Sequence, residues 1–306
     1  MKKYIISTTI NPPTKAIKKF DNLKGWNLIV SGDLKTPSNY KLKNGVYLSP
    51  RDQEKISKKL SDLIGWNCIQ RRNFAMILAF KKGAEIIATV DDDNIPLSNW
   101  EENLIIDKKI KVKKYITKEE AFDPISVTNH NHLWHRGFPL QILKNKNKKK
   151  KIIETNSNFD IQADFWNGDP DIDAICRMEY APECNFKKSV FPFTSNKPSP
   201  FNSQNTFLKR EVIRHYFLFP HIGRMDDIWA SYYVEAKGYK VLYNKPSVYQ
   251  RRNLHDLTKD MKKEFIGYEN NLNLIRRLNK SPNNIKDFLP TKSWQAFKLY
   301  QRILDL

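Results

Sequence analysis

A chain of 306 residues can form one large α/β domain or two small ones, and its 40% hydrophobic content is that of a folded protein. Lysine and arginine exceed aspartate and glutamate by 20 charges, an excess that attracts nucleic acid, anionic membrane or phosphorylated substrates. Ten glycines argue against a glycine-rich phosphate loop, and three widely spaced cysteines indicate neither a disulfide framework nor a zinc cluster. No segment has the length of a membrane span or the pattern of a secretion signal, which predicts a cytoplasmic protein.

The N-terminal segment has the pattern of a parallel βαβ unit. Residues 3–9 are rich in β-forming side chains, Thr14 can cap a helix that runs to about residue 20, and residues 26–30 form a second apolar run. This order predicts two parallel strands joined by a helix. Asp33 follows the second strand, where its carboxylate could accept hydrogen bonds from a ribose or base, or could stabilise a turn.

Two helices are predicted next, one capped by Ser49 and ending near residue 63, the other over about residues 69–82. Arg71 and Arg72 lie near the start of the second helix, although the helix dipole favours anions at that end. A bound phosphate would resolve this conflict by accepting hydrogen bonds from both guanidinium groups. Two solvated arginines are the alternative interpretation.

Three consecutive carboxylates, Asp91, Asp92 and Asp93, follow the buried-strand pattern of residues 86–90. Adjacent carboxylates repel one another and resist burial, and a divalent cation would relieve both problems because hard cations prefer carboxylate oxygens. The carboxyl ends of strands are also where open α/β sheets bind ligands. A metal site holding a diphosphate is the functional interpretation, and an acidic turn after a strand is the alternative.

The middle of the chain has weaker signals. Residues 100–107 are predicted to form a short helix, and the following residues to about 122 show no clear period. His130, His132 and His135 have a spacing that suggests zinc, but no carboxylate or cysteine completes a set nearby, which favours structural roles. The lysine run at residues 144–151 is predicted to be a solvated, mobile loop.

Acidic and polar residues return in the second half of the chain. Residues 165–177 alternate acids, but they lack the downstream glutamate of a calcium loop, which favours an ordinary turn. Residues 198–207 form a polar loop suited to sugar hydroxyls and lead into a helix over about residues 209–216. Asp226 and Asp227 begin another helix, where one can cap the helix and the other can face a cleft as a general base.

The C-terminal part is predicted to be helical and basic. Residues 239–243 form a last strand, and residues 248–256 concentrate phosphate- and metal-binding side chains. Residues 257–306 follow as helices, broken at residues 281–282 and at Pro290. The apolar face of the last helix is expected to dock on the domain, with a membrane-surface helix as the alternative.

Four blocks together resemble a known superfamily: TVDDDN at 89–94, HRGFP at 135–139, FNSQNTFLKRE at 201–211 and MDDIWASY at 225–232. In order and spacing they look like a nucleotide-sugar glycosyltransferase of the GT-A fold. Within that superfamily the chain is similar to reversibly glycosylated polypeptides (UDP-arabinopyranose mutases) and to STELLO-type proteins.

The resemblance implies an α/β fold with a mostly parallel, Rossmann-like sheet flanked by helices. Residues 1–256 would form the catalytic domain, with a nucleotide-sugar half over about 1–125 and an acceptor half over about 126–256. Residues 257–306 would form a helical C-terminal extension.

The resemblance also implies the roles of site residues. Asp91 and Asp93, which face the same way in an extended stretch, would coordinate Mn²⁺ or Mg²⁺, with His255 as a late metal ligand. Arg136 matches the arginine motif associated with sugar transfer in the mutases. Asp226 and Asp227 match the acidic pair near the acceptor. In an inverting reaction Asp227 would be the base, whereas a retaining reaction needs none there. The side chains expected to contact the nucleotide sugar are Thr9, Asp33, Arg71, Arg72, Asp92 and Asn205.

The leading hypothesis is a metal-dependent glycosyltransferase that uses a nucleotide-diphosphate sugar, most readily a UDP-sugar, to build a cell-surface polysaccharide or glycoconjugate. Its partners would be the nucleotide-sugar donor and a glycan or glycolipid acceptor, with peripheral contact to the inner membrane surface through the basic C-terminal helices. A nucleotide-sugar mutase of the same fold is the alternative enzyme. A nucleic-acid-binding protein, suggested by the charge, is disfavoured because the chain has no nucleic-acid-binding signature.

Overall fold

The structure is a computed structural model that describes residues 1–251 and 256–305. The strands are β1 (Lys3–Thr8), β2 (Trp26–Ser31), β3 (Val46–Leu48), β4 (Ile86–Val90), β5 (Asn94–Pro96), β6 (Ile110–Ile116), β7 (Lys151–Ser157), β8 (Ile161–Gly168), β9 (Phe193–Ser195), β10 (Asn205–Lys209) and β11 (Val241–Gln250). The α-helices are α1 (Lys15–Asp21), α2 (Pro50–Ile64), α3 (Arg72–Lys81), α4 (Ala174–Tyr180), α5 (Arg210–Ile213), α6 (Asp226–Ala236), α7 (Leu257–Lys280) and α8 (Thr291–Asp305).

One sheet carries the described strands in the order β3-β2-β1-β4-β10-β8-β11-β9-β6-β7, with β5 paired to β11. Strands β1 to β4 are mutually parallel, as the βαβ pattern predicts. Beyond β4 the sheet is mixed, because β10 runs antiparallel to both β4 and β8 while β8 and β11 are parallel. The α/β class is therefore confirmed, with the parallel arrangement concentrated in the N-terminal half.

Local capping residues explain why the early helices begin where they do. The Thr14 side chain accepts a hydrogen bond from the Ile17 N–H at 3.2 Å, and Ser49 forms a capping box with Asp52 at the start of α2. These side chains satisfy backbone donors that an open helix end leaves unpaired. Both predicted helix starts are confirmed.

The structure corrects four local predictions. Residues 100–107 form turns instead of a helix, and the predicted helix over residues 209–216 shortens to α5. Strand β6 was missed because lysines occupy its exposed positions, although Val112 and Tyr115 point into the protein. Residues 146–150 of the lysine run form the predicted loop, between a 3₁₀ turn and β7, but the run is not fully solvated, because Lys146 is buried and donates to the Leu133 carbonyl at 3.0 Å.

The C-terminal segment packs on the rest of the protein, as expected. Phe297 and Tyr300 of α8 are fully buried, and the Tyr300 hydroxyl donates a hydrogen bond to the Ile213 carbonyl at 2.8 Å. The apolar face of α8 is thus part of the main core and is not available to a membrane. Within the described residues, none of the helices combines the length and apolar character needed to span a bilayer.

Candidate active site

An acidic cleft of about 460 Å³ lies at the carboxyl end of β4. The loops before α3 and β10, the start of α6, the end of β11 and one turn of α7 form its walls. Its lining residues are Asn67, Cys68, Ile69, Gln70, Asp91, Asp93, Arg136, Ser203, Gln204, His221, Gly223, Arg224, Asp226, Asp227, Gln250 and Lys263. The cleft therefore joins parts of all four sequence blocks at the sheet edge where α/β folds bind ligands.

Asp91 is held at the wall of the acidic cleft by a buried arginine. The Arg72 Nη2 group donates to Asp91 Oδ1 at 2.5 Å, and Arg72 Nη1 donates to the Ser203 carbonyl at 2.7 Å. Burial raises the pKa of Asp91, and the adjacent Arg72 opposes this by favouring the charged carboxylate. Arg72 thus fixes the position of an acidic ligand, which differs from the direct phosphate contact predicted for it.

Asp92 points away from the acidic cleft. Its carboxylate accepts hydrogen bonds from the Thr9 hydroxyl and from the Asn11 amide at 3.1 Å, so it ties the end of β4 to the end of β1. Asp91 and Asp93, two residues apart, line the cleft. Thr9 and Asp92 therefore support the acidic loop, in place of the sugar-nucleotide contacts that the sequence suggested.

Gln250, which lines the same cleft as the two carboxylates, has an unpaired amide oxygen. Gln250 is 3% exposed, and its Oε1 atom has no hydrogen-bond partner among the described residues. A buried polar atom without a partner is costly, which makes this oxygen a candidate contact for a bound group.

The donor set suits a hard divalent cation. Among the residues described by the structure, no three His, Cys, Asp or Glu side chains form a metal-binding cluster. Asp91, Asp93 and the Gln250 amide oxygen would nevertheless supply three oxygens, the ligand type that Mg²⁺ and Mn²⁺ prefer. The predicted ligand His255 lies outside the described residues.

Arg136 is the centre of a buried ion-pair network. Its guanidinium donates to Asp171 at 2.8 Å and 3.0 Å, to Asp227 Oδ1 at 3.1 Å, and to the Arg224 carbonyl. Burial disfavours its charge, but Asp171 and Asp227 hold the pKa of Arg136 well above its ordinary value. Burial also opposes ionisation of Asp171, yet the charge of Arg136 keeps the pKa of Asp171 well below the usual range. This arginine positions carboxylates at the cleft wall.

The HRGFP and MDDIWASY blocks pack directly on each other. Gly137 has φ of +90°, and a Cβ there would lie 2.2 Å from Cγ2 of Ile228. The Tyr232 hydroxyl donates to the Gly137 carbonyl at 3.0 Å. Only glycine permits this conformation and close approach without strain, which places Arg136 beside Asp227.

The two adjacent aspartates at the start of α6 have different environments. Asp227 accepts hydrogen bonds from the Ser203 backbone at 2.9 Å and from its hydroxyl at 3.2 Å, in addition to the pairing with Arg136. Asp226 accepts one from the Gln70 amide at 2.9 Å. Burial, followed by the charge of Asp227, raises the pKa of Asp226 to about 7. A carboxyl group with this pKa can exchange a proton near neutral pH, whereas the Asp227 carboxylate is occupied by Arg136 and Ser203.

Two predicted nucleotide-binding side chains have structural partners instead. The buried Asp33 carboxylate accepts hydrogen bonds from the backbone N–H groups of Asn67 at 2.8 Å and Cys68 at 3.0 Å. Asn205 is fully buried and accepts a hydrogen bond from the Trp100 indole at 3.0 Å. Neither lines the acidic cleft, whereas Ser203 and Gln204, from the same polar loop as Asn205, do.

The prediction for Arg71 as a phosphate ligand is also corrected. Its guanidinium is fully buried, lies 3.6 Å from the centre of the Trp66 ring, and donates to Gln53 Oε1 at 2.8 Å. Burial lowers the pKa of Arg71 to about 10. The sequence could not distinguish Arg71 from Arg72, because the direction of each side chain depends on tertiary partners.

Arg71→Lys is expected to lower the free energy of unfolding by about 1–3 kcal/mol, because lysine loses the planar stacking and several hydrogen bonds. Urea unfolding measures this change. Arg71 lines no part of the cleft, so the affinity for nucleotide, measured by calorimetry, should stay within about twofold of the wild type. A large loss of nucleotide affinity with unchanged stability would contradict this structural role.

Three contributors to the site were missed by sequence reasoning. Asp171 was interpreted as part of an ordinary turn, and Gln70 and Gln250 attracted no functional interpretation of their own. Asp171 could have been suspected only by pairing it with Arg136, which lies far away in the chain. A glutamine at a strand end has no local signal.

Comparison with known proteins supports the resemblance. No family model matches the chain. Two Arabidopsis thaliana proteins, "Probable glycosyltransferase STELLO1" and "Probable glycosyltransferase STELLO2", are 24% identical over 185 residues and 23% identical over 191 residues. Each match covers 56% of this chain and 24% of the relative, so the similarity spans about a quarter of the relatives' length. The predicted resemblance to STELLO-type glycosyltransferases is confirmed at the level of sequence similarity.

Two solved structures of one bacterial enzyme align with most of this chain. Glucosyl-3-phosphoglycerate synthase from Mycobacterium tuberculosis in complex with UDP aligns with a TM-score of 0.47 at 10% identity, covering 90% of this chain and 80% of that one. Its complex with Mn²⁺, UDP-glucose and phosphoglyceric acid aligns with a TM-score of 0.47 at 9% identity, covering 89% and 80%.

Proposed function

We propose that the chain is a metal-dependent glycosyltransferase that moves a sugar from a nucleotide-diphosphate donor, a UDP-sugar, to an acceptor hydroxyl. The observation that carries this proposal is that Asp91 and Asp93 line the same cleft as Asp226, a carboxyl group whose pKa is raised to about 7. The first two suit a cation that binds a diphosphate, and the third suits a base for the acceptor. Similarity to probable glycosyltransferases supports the same reaction class.

Asp91, Asp93 and the Gln250 oxygen would hold Mn²⁺ or Mg²⁺. When bound, the cation stabilises the negative charge that develops on the leaving diphosphate. Arg72 keeps the Asp91 carboxylate in place through the contact at 2.5 Å. Because the contact is buried on the arginine side, Asp91 has little freedom to turn away from the cleft, which keeps the ligand preorganised.

Asp226 acts as the general base in this proposal. It removes the proton from the acceptor hydroxyl as that oxygen attacks the sugar carbon opposite the diphosphate, so the reaction inverts configuration. Asp227 is held by Arg136 and Ser203, and its charge adds to the effect of burial in raising the pKa of Asp226. The mutase alternative is weaker, since Arg136 is bound on two sides by carboxylates.

The acceptor is proposed to be a glycan or glycolipid presented at an anionic membrane surface. An apolar patch, exposed by more than a third at each residue, consists of Ile175, Met178, Met261 and Phe265. Its two helices are joined by a hydrogen bond from the Ala174 N–H to Glu264 at 2.7 Å. Lys263, on the same helix as Phe265, lines the acidic cleft. The patch therefore lies on helices that border the cleft, on a side of α7 different from that of Lys263, and the exposed Lys262 can complement anionic lipid headgroups.

Phe265→Asp is expected to weaken binding to phosphatidylglycerol vesicles by about 10- to 100-fold, because a buried phenyl ring contributes about 1.5–3 kcal/mol. Co-sedimentation at several salt concentrations measures the affinity. Val46→Asp, which changes an exposed apolar residue on edge strand β3, is the matched control and should bind as the wild type does. Equal binding by Phe265→Asp and the control would exclude the patch as a membrane contact.

A screen of nucleotide sugars tests the proposed function itself. We expect slow, Mn²⁺-dependent hydrolysis of one donor without acceptor, and faster transfer when the correct acceptor hydroxyl is added. Hydrolysis that is equally fast in EDTA would contradict the metal-dependent mechanism. Tight, salt-sensitive binding of RNA or DNA with no donor turnover would favour the nucleic-acid-binding alternative.

A further inference from the structure

A second cleft of about 460 Å³ lies away from the acidic cleft. Strand β11 begins at this cleft with Val241 and ends at the acidic cleft with Gln250. Helix α6 likewise has Asp226 at one cleft and Glu235 at the other. Nine helical residues correspond to about 14 Å along the axis, so the two clefts are separate sites.

Three lysines line the second cleft, which we call the lysine cleft: Lys114, Lys197 and Lys240. Lys114 and Lys197 are half-buried, and none of the three lies within ion-pair distance of a carboxylate of the described residues, although the charge of Lys197 acts on Glu120, which is paired with Arg276. The neighbouring Asp160 accepts a hydrogen bond from the backbone of Lys240 at 2.9 Å. Three ammonium groups around one cleft give its lining positive charge, and a bound anion would pair with them.

The carboxyl group in the lysine cleft does not neutralise these charges. Glu235 Oε1 accepts a hydrogen bond from the Ser199 N–H at 2.9 Å. Burial raises the pKa of Glu235 well above its ordinary value, which favours the uncharged form of this group. Three lysines also outnumber this one carboxyl group, so the lining has a net positive charge, and in its uncharged form Glu235 can donate a hydrogen bond.

The remaining side chains of the lysine cleft suit a sugar. Thr155 and Asn279 offer a hydroxyl and an amide, and Ser157 already accepts a hydrogen bond from Lys240 at 3.3 Å. The ring of Tyr239 adds an apolar surface, and its hydroxyl is anchored to the Glu211 carbonyl at 3.0 Å. Paired donors and acceptors beside an aromatic ring match the alternating hydroxyls and C–H faces of a saccharide.

We propose that the lysine cleft binds an anionic saccharide, a sugar unit bearing a carboxylate or a phosphate, at a site separate from the reaction. The lysines neutralise the anionic group while the hydroxyl and amide side chains and Tyr239 contact the ring. If the proposed function holds, the lysine cleft binds an anionic segment of the acceptor while a distant hydroxyl of the same acceptor reaches the acidic cleft. Binding of an anionic saccharide to the lysine cleft does not itself require glycosyl transfer.

The test compares binding of two tetrasaccharides, an oligogalacturonate and its uncharged galactose counterpart, by isothermal titration calorimetry. Glucose 6-phosphate, in a third arm, distinguishes a phosphate from a carboxylate as the anionic group. Each titration is run with and without UDP and Mn²⁺. We expect the wild type to bind at least one of the anionic ligands, to bind the neutral one at least about tenfold more weakly, and to show the same affinities in both conditions.

The double variant Lys114→Gln/Lys197→Gln is expected to lose at least about tenfold in affinity for the anionic ligand, while its melting temperature and Mn²⁺-dependent donor hydrolysis remain those of the wild type. The charge-matched control Lys59→Gln/Lys82→Gln, which changes exposed lysines that line neither cleft, should bind normally. Equal losses in both double variants would overturn the site, because the total charge would then explain binding. Failure of the wild type to bind either anionic ligand would overturn it as well, independently of whether donor hydrolysis succeeds.

Discussion

Asp93→Asn is expected to abolish the metal-dependent binding of nucleotide diphosphate while leaving the fold intact. Replacing one carboxylate of a two-carboxylate site by an amide removes a charged ligand, and the affinity for the cation should fall at least about 100-fold. For the wild type, UDP with Mn²⁺ at about 100 times the dissociation constant should raise the melting temperature by about 5 °C. The variant should show no shift beyond that of UDP alone.

Asp92→Asn is the matched control for this experiment. Asp92 carries the same charge in the same triplet, but its carboxylate is directed toward Thr9 and Asn11. This variant should melt at a lower temperature and still keep the Mn²⁺-dependent shift. Loss of the shift in Asp92→Asn together with its retention in Asp93→Asn would show that the ligands are assigned to the wrong carboxylates.

Asp226→Asn and Asp227→Asn are expected to fail in different ways. Asp226→Asn should lower kcat by about 10²–10⁴-fold through loss of the general base, with stability not reduced, because it removes a charge that repels Asp227. Asp227→Asn should lower the free energy of unfolding by about 3–5 kcal/mol, since it leaves the buried Arg136 with one carboxylate fewer. Steady-state kinetics and urea unfolding of both variants separate the two effects.

The pH profile gives a second measure of the same assignment. A base must be deprotonated, and the pKa of Asp226 is raised to about 7. The wild-type kcat/KM should therefore rise about tenfold per pH unit below 7 and level off above it, and Asp226→Asn should lack this rise. Two results would indicate that Asp227 is the base instead. One is a pH profile that Asp226→Asn does not change, and the other is a loss of kcat in Asp227→Asn alone, with its stability unchanged.

Periodicity and capping allowed much of the N-terminal half to be predicted from sequence. The strand before Asp91 and the helix capped by Ser49 depend on local patterns that act within a few residues. Strand β6 was not predicted because its exposed positions carry lysine, which is not typical of a strand. The strand forms because it pairs with β7. Strand pairing between segments that are distant in the chain has no local signal.

The types of residue that form the site could be predicted from sequence, but the role of each residue could be predicted less well. Asp91 and Asp93 both line the cleft, although residues 92–93 form a turn and not the extended stretch from which their shared direction was predicted. Neighbouring residues with the same chemistry, Arg71 and Arg72 or Asp226 and Asp227, could not be told apart from sequence. Their roles differ because the two members of each pair have different buried partners, which come from other elements.

The central claim is that the carboxylates after β4 hold a divalent cation that binds the donor diphosphate. A crystal structure with UDP and Mn²⁺, with the anomalous signal of manganese recorded, tests this most directly. We expect an anomalous peak bound by Asp91, Asp93 and the Gln250 oxygen, with the diphosphate on its open side. A manganese peak elsewhere, or UDP bound with these three oxygens facing only water, would contradict the account.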